Sequence, residues 1–328
     1  GIGVDAGGVV TQNRRMAACV GINTARIDTY AFSLGAGIAG LAGCALSQVG
    51  NVGPDLGQSY IVEVVVRTLG VGHPFSQGTV DSNEIWVDFQ ASSGGKVFAR
   101  NGGLANPDDT GEVDRWSHFI NVYMLDKDGN RIDRRNVHDI FTPLYNNQIP
   151  PGAGQVVHYE FTVPEDLTAP IDWEVKLNYR KFDTILLNYF QGKGYTAGAP
   201  FGVTNDMPIR VICVDHVTLP VEGVTATVTN APSPILPWQR WNDYGIGLLN
   251  KGDKGSEKGE LIQASEAFAQ VEKLGRFDGP VNLARVYYKE GRLEEAVGAL
   301  QRAGTFKPPP PRWTVAWFTG LVDKQNGY

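Results

Sequence analysis

The sequence contains few cysteines, and their spacing excludes the common cysteine-based sites. Its 328 residues include three, Cys19, Cys44 and Cys213, and none forms a CxxC or CxxCH motif. Structural zinc sites and covalently attached haem need such short, fixed spacings, and a disulfide framework needs an even set of cysteines. The sequence therefore predicts no zinc site, no disulfide framework and no covalently attached haem within this chain.

The sequence also lacks an excess of positive charge. Its formal net charge is −6, and its isoelectric point is about 5.4. Nucleic-acid-binding proteins usually present a basic surface that attracts phosphates, so we expect no nucleic-acid partner. The chain does contain forty glycines and nineteen prolines, which favour turn-rich β structure.

No group of residues indicates catalysis or metal binding. Ser117, His118 and the scattered aspartates do not suggest a nucleophile, a base and an orienting group, and the five histidines include no HxH or HxxxH pair. We predict that the chain is not an enzyme and that it has no catalytic, cofactor-binding or metal-ligating residues. His118 and His158 fall in strand-like patterns, whereas His73 and His138 are candidate distal ligands for a haem in a neighbouring domain.

The segment DKDGNR, Asp126–Arg131, allows two interpretations. Its oxygen-bearing side chains are of the kind that bind calcium. However, Gly129 is fourth rather than sixth in the segment, and Val137 stands where an EF-hand loop needs glutamate. A tight turn built on Asp128 and Gly129 explains the same residues, and we favour the turn.

Residues 30–49 contain no charged side chain, and their number is sufficient to cross a membrane as a helix. The interleaved glycines and alanines suit close helix–helix contact in a bilayer, and Arg14, Arg15 and Arg26 precede the run on the side expected to be cytoplasmic. The alternative is a soluble Gly/Ala-rich core helix. The chain begins with glycine and ends inside a helical pattern, so we expect it to be part of a longer reading frame.

The stretch VTQNRRMAACVGINTARIDTYAFSLGAGIAGLAGCALSQVGNVGPDLGQSYIVE, about residues 9–63, resembles the urea and branched-chain amino acid class of ABC transporter permeases. The resemblance implies that QNRRMAACVGI is a cytoplasmic coupling segment and that the apolar run is a transmembrane helix. We therefore assign residues 1–63 to a permease-like helical fragment. Because one span cannot line a translocation path, transport is the alternative function and not the first one.

Residues 64–236 have the pattern of an antiparallel β-sandwich domain. Apolar and polar residues alternate in five segments, a period that predicts half-buried strands. Polar turns rich in glycine and proline separate them, and no helical stretch is expected between them. The segments are residues 83–91, 118–126, 155–163, 172–182 and 209–219.

Residues 279–308, GPVNLARVYYKEGRLEEAVGALQRAGTFKP, have the pattern of one tetratricopeptide repeat. This repeat pairs two helices through small residues that permit close approach and bulky residues that fill the gap, and a proline ends the unit. The matching positions are Leu283, Ala284 and Tyr287 on the first helix, Ala296, Leu300 and Ala303 on the second, and Pro308.

Two incomplete units flank this repeat within residues 237–328. The earlier unit has Ala264, Phe268 and Val271 at its second-helix positions, and the later one begins at RWTVAWFTGLVDKQNGY. Repeat geometry predicts a peptide-binding groove lined by Arg285, Tyr288 and Lys289. The alternative is that the helices serve only as a structural tail.

The β pattern and the repeats together carry a second resemblance. Segments such as NEIWVDFQASSGGKVFAR, NNQIPPGAGQVVHYEFTVPEDL and NDMPIRVICVDHVTLPV are similar to a region of bacterial multihaem cytochrome c-type proteins with C-terminal tetratricopeptide repeats. The resemblance spans about residues 61–328. It implies export to the periplasm or cell envelope, work near a respiratory electron-transfer chain, and a haem-bearing upstream region that is absent here.

The expected fold class is therefore multi-domain α+β. A Gly/Ala-rich, membrane-type helical fragment precedes an antiparallel β-sandwich, which is followed by about two and a half tetratricopeptide repeats. The expected function is a non-enzymatic interaction scaffold for a protein or peptide partner, with a haem-bearing upstream domain as a second partner and inner-membrane anchoring through residues 30–49. Because the two resemblances meet at about residues 60–66, we also hypothesise an artificial or recombinational join there.

Overall fold

The computed structural model describes residues 59–78, 80–104, 111–190, 205–252 and 259–328. All of these residues except Ser59 belong to one unit, Tyr60–Tyr328. The expected membrane-type helix at residues 30–49 lies outside the described residues, as does the rest of the permease-like stretch up to residue 58. Within the described ranges, no helix is both long enough and apolar enough to cross a bilayer.

The first part of the described chain forms nine strands arranged in three sheets. The largest has the order β3-β2-β8-β9 with β4 also beside β2, and all of its pairs are antiparallel. In the two smaller sheets β1 pairs with β7, and β5 pairs with β6. The strands are β1 (Ser59–Arg67), β2 (Glu84–Ser93), β3 (Lys96–Asn101), β4 (His118–Phe119), β5 (Val122–Leu125), β6 (Thr142–Asn146), β7 (Gly154–Thr162), β8 (Ile171–Arg180) and β9 (Arg210–Leu219).

One apolar cluster joins the β1–β7 pair to the large sheet. The predicted alternation places Val87 and Phe89 of β2 in this cluster, together with Val157 and Tyr159 of β7. The rings of Phe89 and Tyr159 stack with their centroids 4.6 Å apart. Burial of these side chains is the main favourable term that holds the strands together.

The structure corrects two sequence-based expectations in this region. Residues 118–126 form two short strands rather than one, because the Ile120 amide donates to the Ile85 carbonyl of β2 while Asn147 donates to Asn121 beside β6. A helix, α1 (Thr184–Phe190), also lies between β8 and β9, so the expectation of no helix there was wrong. The Asp183 carboxylate caps it by accepting from the Leu186 amide at 2.8 Å.

Five further helices follow β9 in the described residues. They pack in chain order around one apolar cluster that includes Leu248, Phe268, Leu283 and Ala296. Gly291 has a φ of +71°, a conformation that favours glycine, and so permits the tight turn between the helices at residues 278–289 and 293–304. The helices are α2 (Pro237–Gly252), α3 (Glu260–Lys273), α4 (Asp278–Lys289), α5 (Leu293–Gly304) and α6 (Arg312–Asn326).

Helix α2 packs directly against the β1–β7 pair. A Cβ added at Gly247 would lie 2.7 Å from Val156 of β7, so only glycine permits this approach. Arg67 of β1 forms an ion pair with Asp243 of α2 at 2.9 Å. Val156 belongs to the same apolar cluster as Leu248. The β region and the helices therefore share a packed interface.

Candidate functional site

A groove of about 400 Å³ lies between α4 and α6. Its lining includes the three residues that the repeat pattern predicted, and the structure brings all three together. The second wall comes from α6. The lining residues are Arg285, Tyr288 and Lys289 of α4 with Trp317, Phe318 and Leu321 of α6.

The packing of α4 explains why these residues line the groove. Leu283, Ala284 and Val286 are buried against the neighbouring helices. Positions three or four residues apart lie on one face of a helix, so Arg285, Tyr288 and Lys289 form a face distinct from that buried set. This face is the wall of the groove.

The remaining residues of the predicted repeat lie in its interior or at its end. Tyr287 is partly buried against the helical cluster. At the second-helix positions, Ala296, Leu300 and Ala303 are buried, with exposed fractions of 0%, 3% and 0%. Their small and bulky side chains fill the space between α4 and α5. Pro308 is exposed and follows the end of α5.

Hydrogen bonds restrain one cationic side chain of the groove. Arg285 donates from Nη1 to Asn282 Oδ1 at 2.9 Å, and Asn282 donates in turn to Asn242 Oδ1 of α2 at 2.8 Å. Asn282 is itself buried. A restrained guanidinium loses less conformational entropy when it binds a carboxylate, which favours recognition over a freely rotating side chain.

Helix α6 contributes aromatic surface to the groove. Only Val322 of this helix is fully buried, and Phe318 packs against the helical cluster. Trp317 is 64% exposed, and Trp313 one turn before it is 74% exposed. Large exposed aromatic side chains are common at protein-binding surfaces.

The lining residues have the chemistry of a site for an acidic segment with apolar side chains. Arg285 and Lys289 provide positive charge, and none of the lining residues is acidic. Sequence reasoning missed the α6 wall. The i, i+4, i+8 spacing of Trp313, Trp317 and Leu321 was the signal that would have indicated it.

A second cleft, of about 310 Å³, lies in the β region and has different chemistry. Its lining includes Arg100, Glu112 and Arg115. Burial, together with the nearby Glu84 carboxylate, raises the pKa of Glu112 to about 7.

A buried ion pair lies close to this second cleft. Arg180 is fully buried and contacts Glu84 Oε2 at 2.6 Å through Nη2, while its Nη1 donates to the Gly111 carbonyl. Burial raises the pKa of the Glu84 carboxyl although Arg180 opposes the shift. The pair gives the β region a charged interior.

The residues that the sequence suggested as calcium or haem ligands do not line either cleft. Residues 126–130 form a turn, in which Asp126 Oδ1 accepts from the Asp128 and Asn130 amides at 2.9 and 2.8 Å. His73 and His138 are both exposed, and His138 lies 3.4 Å from Asp139. No group of three or more metal-ligating side chains occurs among the described residues.

Two of three comparisons with known proteins found a match to part of this chain. The branched-chain amino acid transport system permease component family matches residues 8–76. A search of curated proteins found no match. Among solved structures, the penta-heme cytochrome c552 from Thermochromatium tepidum is 16% identical with a TM-score of 0.34, and the match covers 50% of this chain and 37% of that one.

Proposed function

We propose that this chain is a non-enzymatic protein-interaction module whose groove between α4 and α6 binds an acidic peptide segment. One observation carries the proposal. The residues assigned to a binding face from the repeat pattern, Arg285, Tyr288 and Lys289, line one groove with aromatic side chains of α6. Positive charge beside apolar surface is complementary to a peptide that contains both carboxylates and an aromatic or aliphatic anchor.

We further propose that α2–α6 are tetratricopeptide repeats and that the β region is a sandwich. The first assignment is supported by the burial of the small and bulky positions between α4 and α5, and by Ala264 and Phe268 on α3, which are also fully buried. The second is supported by the apolar cluster between the β1–β7 pair and the large sheet. Both assignments agree with a scaffold rather than an active site.

The cellular context remains a separate proposal. The sequence resemblance to multihaem cytochrome c-type proteins supports a role in the periplasm or cell envelope, next to a haem-bearing domain. The residues of this chain do not fit covalently held haem, because the sequence has no CxxCH motif and Cys213 is the sole cysteine of the described ranges. A haem stain of the purified chain should be blank; covalent staining would overturn this part of the proposal.

Peptide binding to the full chain tests the groove. The probes are a fluorescein-labelled peptide of aspartates and glutamates around one phenylalanine, and a matched peptide with lysine at every acidic position. Fluorescence anisotropy should show saturable binding of the acidic peptide and none of the basic peptide. Trp317→Ala should weaken binding, whereas Ile262→Ala on an exposed position of α3 should not. Equal binding of both peptides would contradict the proposal.

A second candidate function rests on the permease-family match to residues 8–76. It is a transport-related fragment that associates with the membrane through residues 30–49. Residues 59–67 of the matched range form β1, which pairs with β7. Membrane fractionation decides between the candidates, since recovery of the whole chain in the soluble fraction would remove this one.

The hypothesised join at residues 60–66 stays a prediction. It falls within β1, whose Val62 packs in the β cluster while Val65 packs against the helical cluster. Long-read sequencing of the source locus tests the hypothesis, because a join predicts that the reading frame is interrupted there. One uninterrupted frame through residues 60–66 would refute it.

A further inference from the structure

Strand β9 is an edge strand with unusual apolar exposure. It lies at the end of the order β3-β2-β8-β9, and no strand pairs with its other edge in the described ranges. Val211, Ile212 and Val214 are 53%, 48% and 58% exposed. Edge strands in soluble proteins are usually protected by charge, proline or a covering element, because an open apolar edge promotes pairing with another chain.

The far end of β9 is closed by side chains. Asn230 accepts from the Thr218 amide and donates to the Thr218 carbonyl, each at 2.8 Å, and thereby satisfies the backbone groups that a neighbouring strand would bind. The His216 amide donates to Asp215 Oδ1 at 2.9 Å. Protection is thus concentrated at residues 215–218, and the apolar residues 211–214 lie beyond it.

We propose that β9 pairs with β9 of a second copy of this chain, so that two large sheets join edge to edge. The charges on the strand favour this partner. Arg210 lies at one end of the apolar stretch and Asp215 at the other. An antiparallel pairing about a two-fold axis near Cys213 brings Arg210 of each copy towards Asp215 of the other copy. It also covers the apolar residues of both strands.

This inference does not rest on the proposed peptide groove. Strand β9 belongs to the large sheet, whereas the groove is formed by α4 and α6. Loss of peptide binding with intact self-association would affect only the proposed function. Loss of self-association with intact peptide binding would affect only this inference.

Analytical ultracentrifugation of the full chain over a wide concentration range tests the pairing. We expect a monomer–dimer equilibrium whose dissociation constant rises on the order of tenfold or more in Val214→Lys, since each copy then sets an ammonium against apolar surface. Ile262→Lys, a matched change at an exposed site on α3, should leave the equilibrium unchanged. Circular dichroism of each variant separates a lost interface from a lost fold.

A second measurement locates the interface at β9. In the chain with Cys19→Ser and Cys44→Ser, the exposed Cys213 is the sole thiol, and a short bismaleimide should link two copies through it. The added Val214→Lys change should abolish the link. A monomer at every concentration would overturn the inference. So would a dimer whose dissociation constant is unchanged by Val214→Lys and that does not cross-link through Cys213.

Discussion

The helical region and the β region have interiors of different chemistry. Among the described residues, the helices α2–α6 bury few polar side chains, namely Asp243, Glu260 and Asn282, beside an apolar cluster that includes Leu248, Phe268 and Val286. The β region instead encloses Arg180, which is 0% exposed and pairs with Glu84. Shape complementarity therefore dominates the stability of the helices, whereas the β region also depends on charge pairing and on pH. Substitutions that change volume or charge test this difference.

The largest expected effect is that of Phe268→Ala in the helical interior. Removal of a fully buried ring should lower the free energy of unfolding by about 3–5 kcal/mol. Replacement of Ile262, an exposed residue of the same helix, by alanine should change the free energy of unfolding by no more than about 0.5 kcal/mol. Urea denaturation measures both. Equal effects at the two sites would mean that α3 does not pack as described.

Arg180→Met tests the charged interior of the β region. The change leaves the Glu84 carboxyl without the Arg180 guanidinium and should lower the free energy of unfolding by about 3 kcal/mol. The double variant Arg180→Met/Glu84→Met should recover part of this loss, because it removes both charges together. If the double variant is less stable than the single one in urea denaturation, an uncompensated charge is not the cause.

A smaller effect is expected at the contact between the two regions. Gly247→Ala places a methyl group against Val156, and this overpacking should lower the free energy of unfolding by about 1–3 kcal/mol. Gly298→Ala is the matched control, since a Cβ there meets no atom within 4 Å. It should stabilise α5 by about 0.5–1 kcal/mol. Thermal denaturation should shift the two variants in opposite directions, and a stabilising Gly247→Ala would contradict the close packing of α2 on β7.

The smallest effect is a dependence of stability on pH. Burial raises the pKa of Glu112 to about 7, so the folded chain binds this proton more tightly than the unfolded chain does. The resulting stabilisation is fully present below the ordinary value of 4.5 and is lost as the pH rises through 7. Glu112→Gln remains neutral and should therefore raise the urea midpoint more at about pH 8 than at about pH 5. A larger gain at the lower pH would contradict the assigned shift.

Much of the helical region followed from local sequence signals. The positions of Leu283, Ala284, Ala296 and Leu300 indicated two closely packed helices, and all four are buried. The groove face of α4 followed from the same periodicity. The opposite wall has a local period as well, but that Trp317 and Phe318 face α4 depends on how α6 packs against α4 and α5.

The β region shows where local signals fail. Alternation located β2, β7, β8 and β9, but it continues through residues 118–126 although the strand changes partner there. The pattern at residues 184–190 did not indicate a helix, whose cap at Asp183 depends on a single side-chain hydrogen bond. The docking of α2 on β7 depends on Gly247 meeting Val156, a contact between distant residues that no local period encodes.

A charge reversal of the groove tests the central functional claim most directly. In Arg285→Glu/Lys289→Glu the two cationic lining residues become acidic, while Tyr288, Trp317 and the buried face of α4 remain unchanged. We predict that this variant no longer binds the acidic fluorescein-labelled peptide and instead binds the matched lysine peptide, as measured by fluorescence anisotropy on the folded full chain. Unchanged binding of the acidic peptide would contradict the claim that this groove is the binding site.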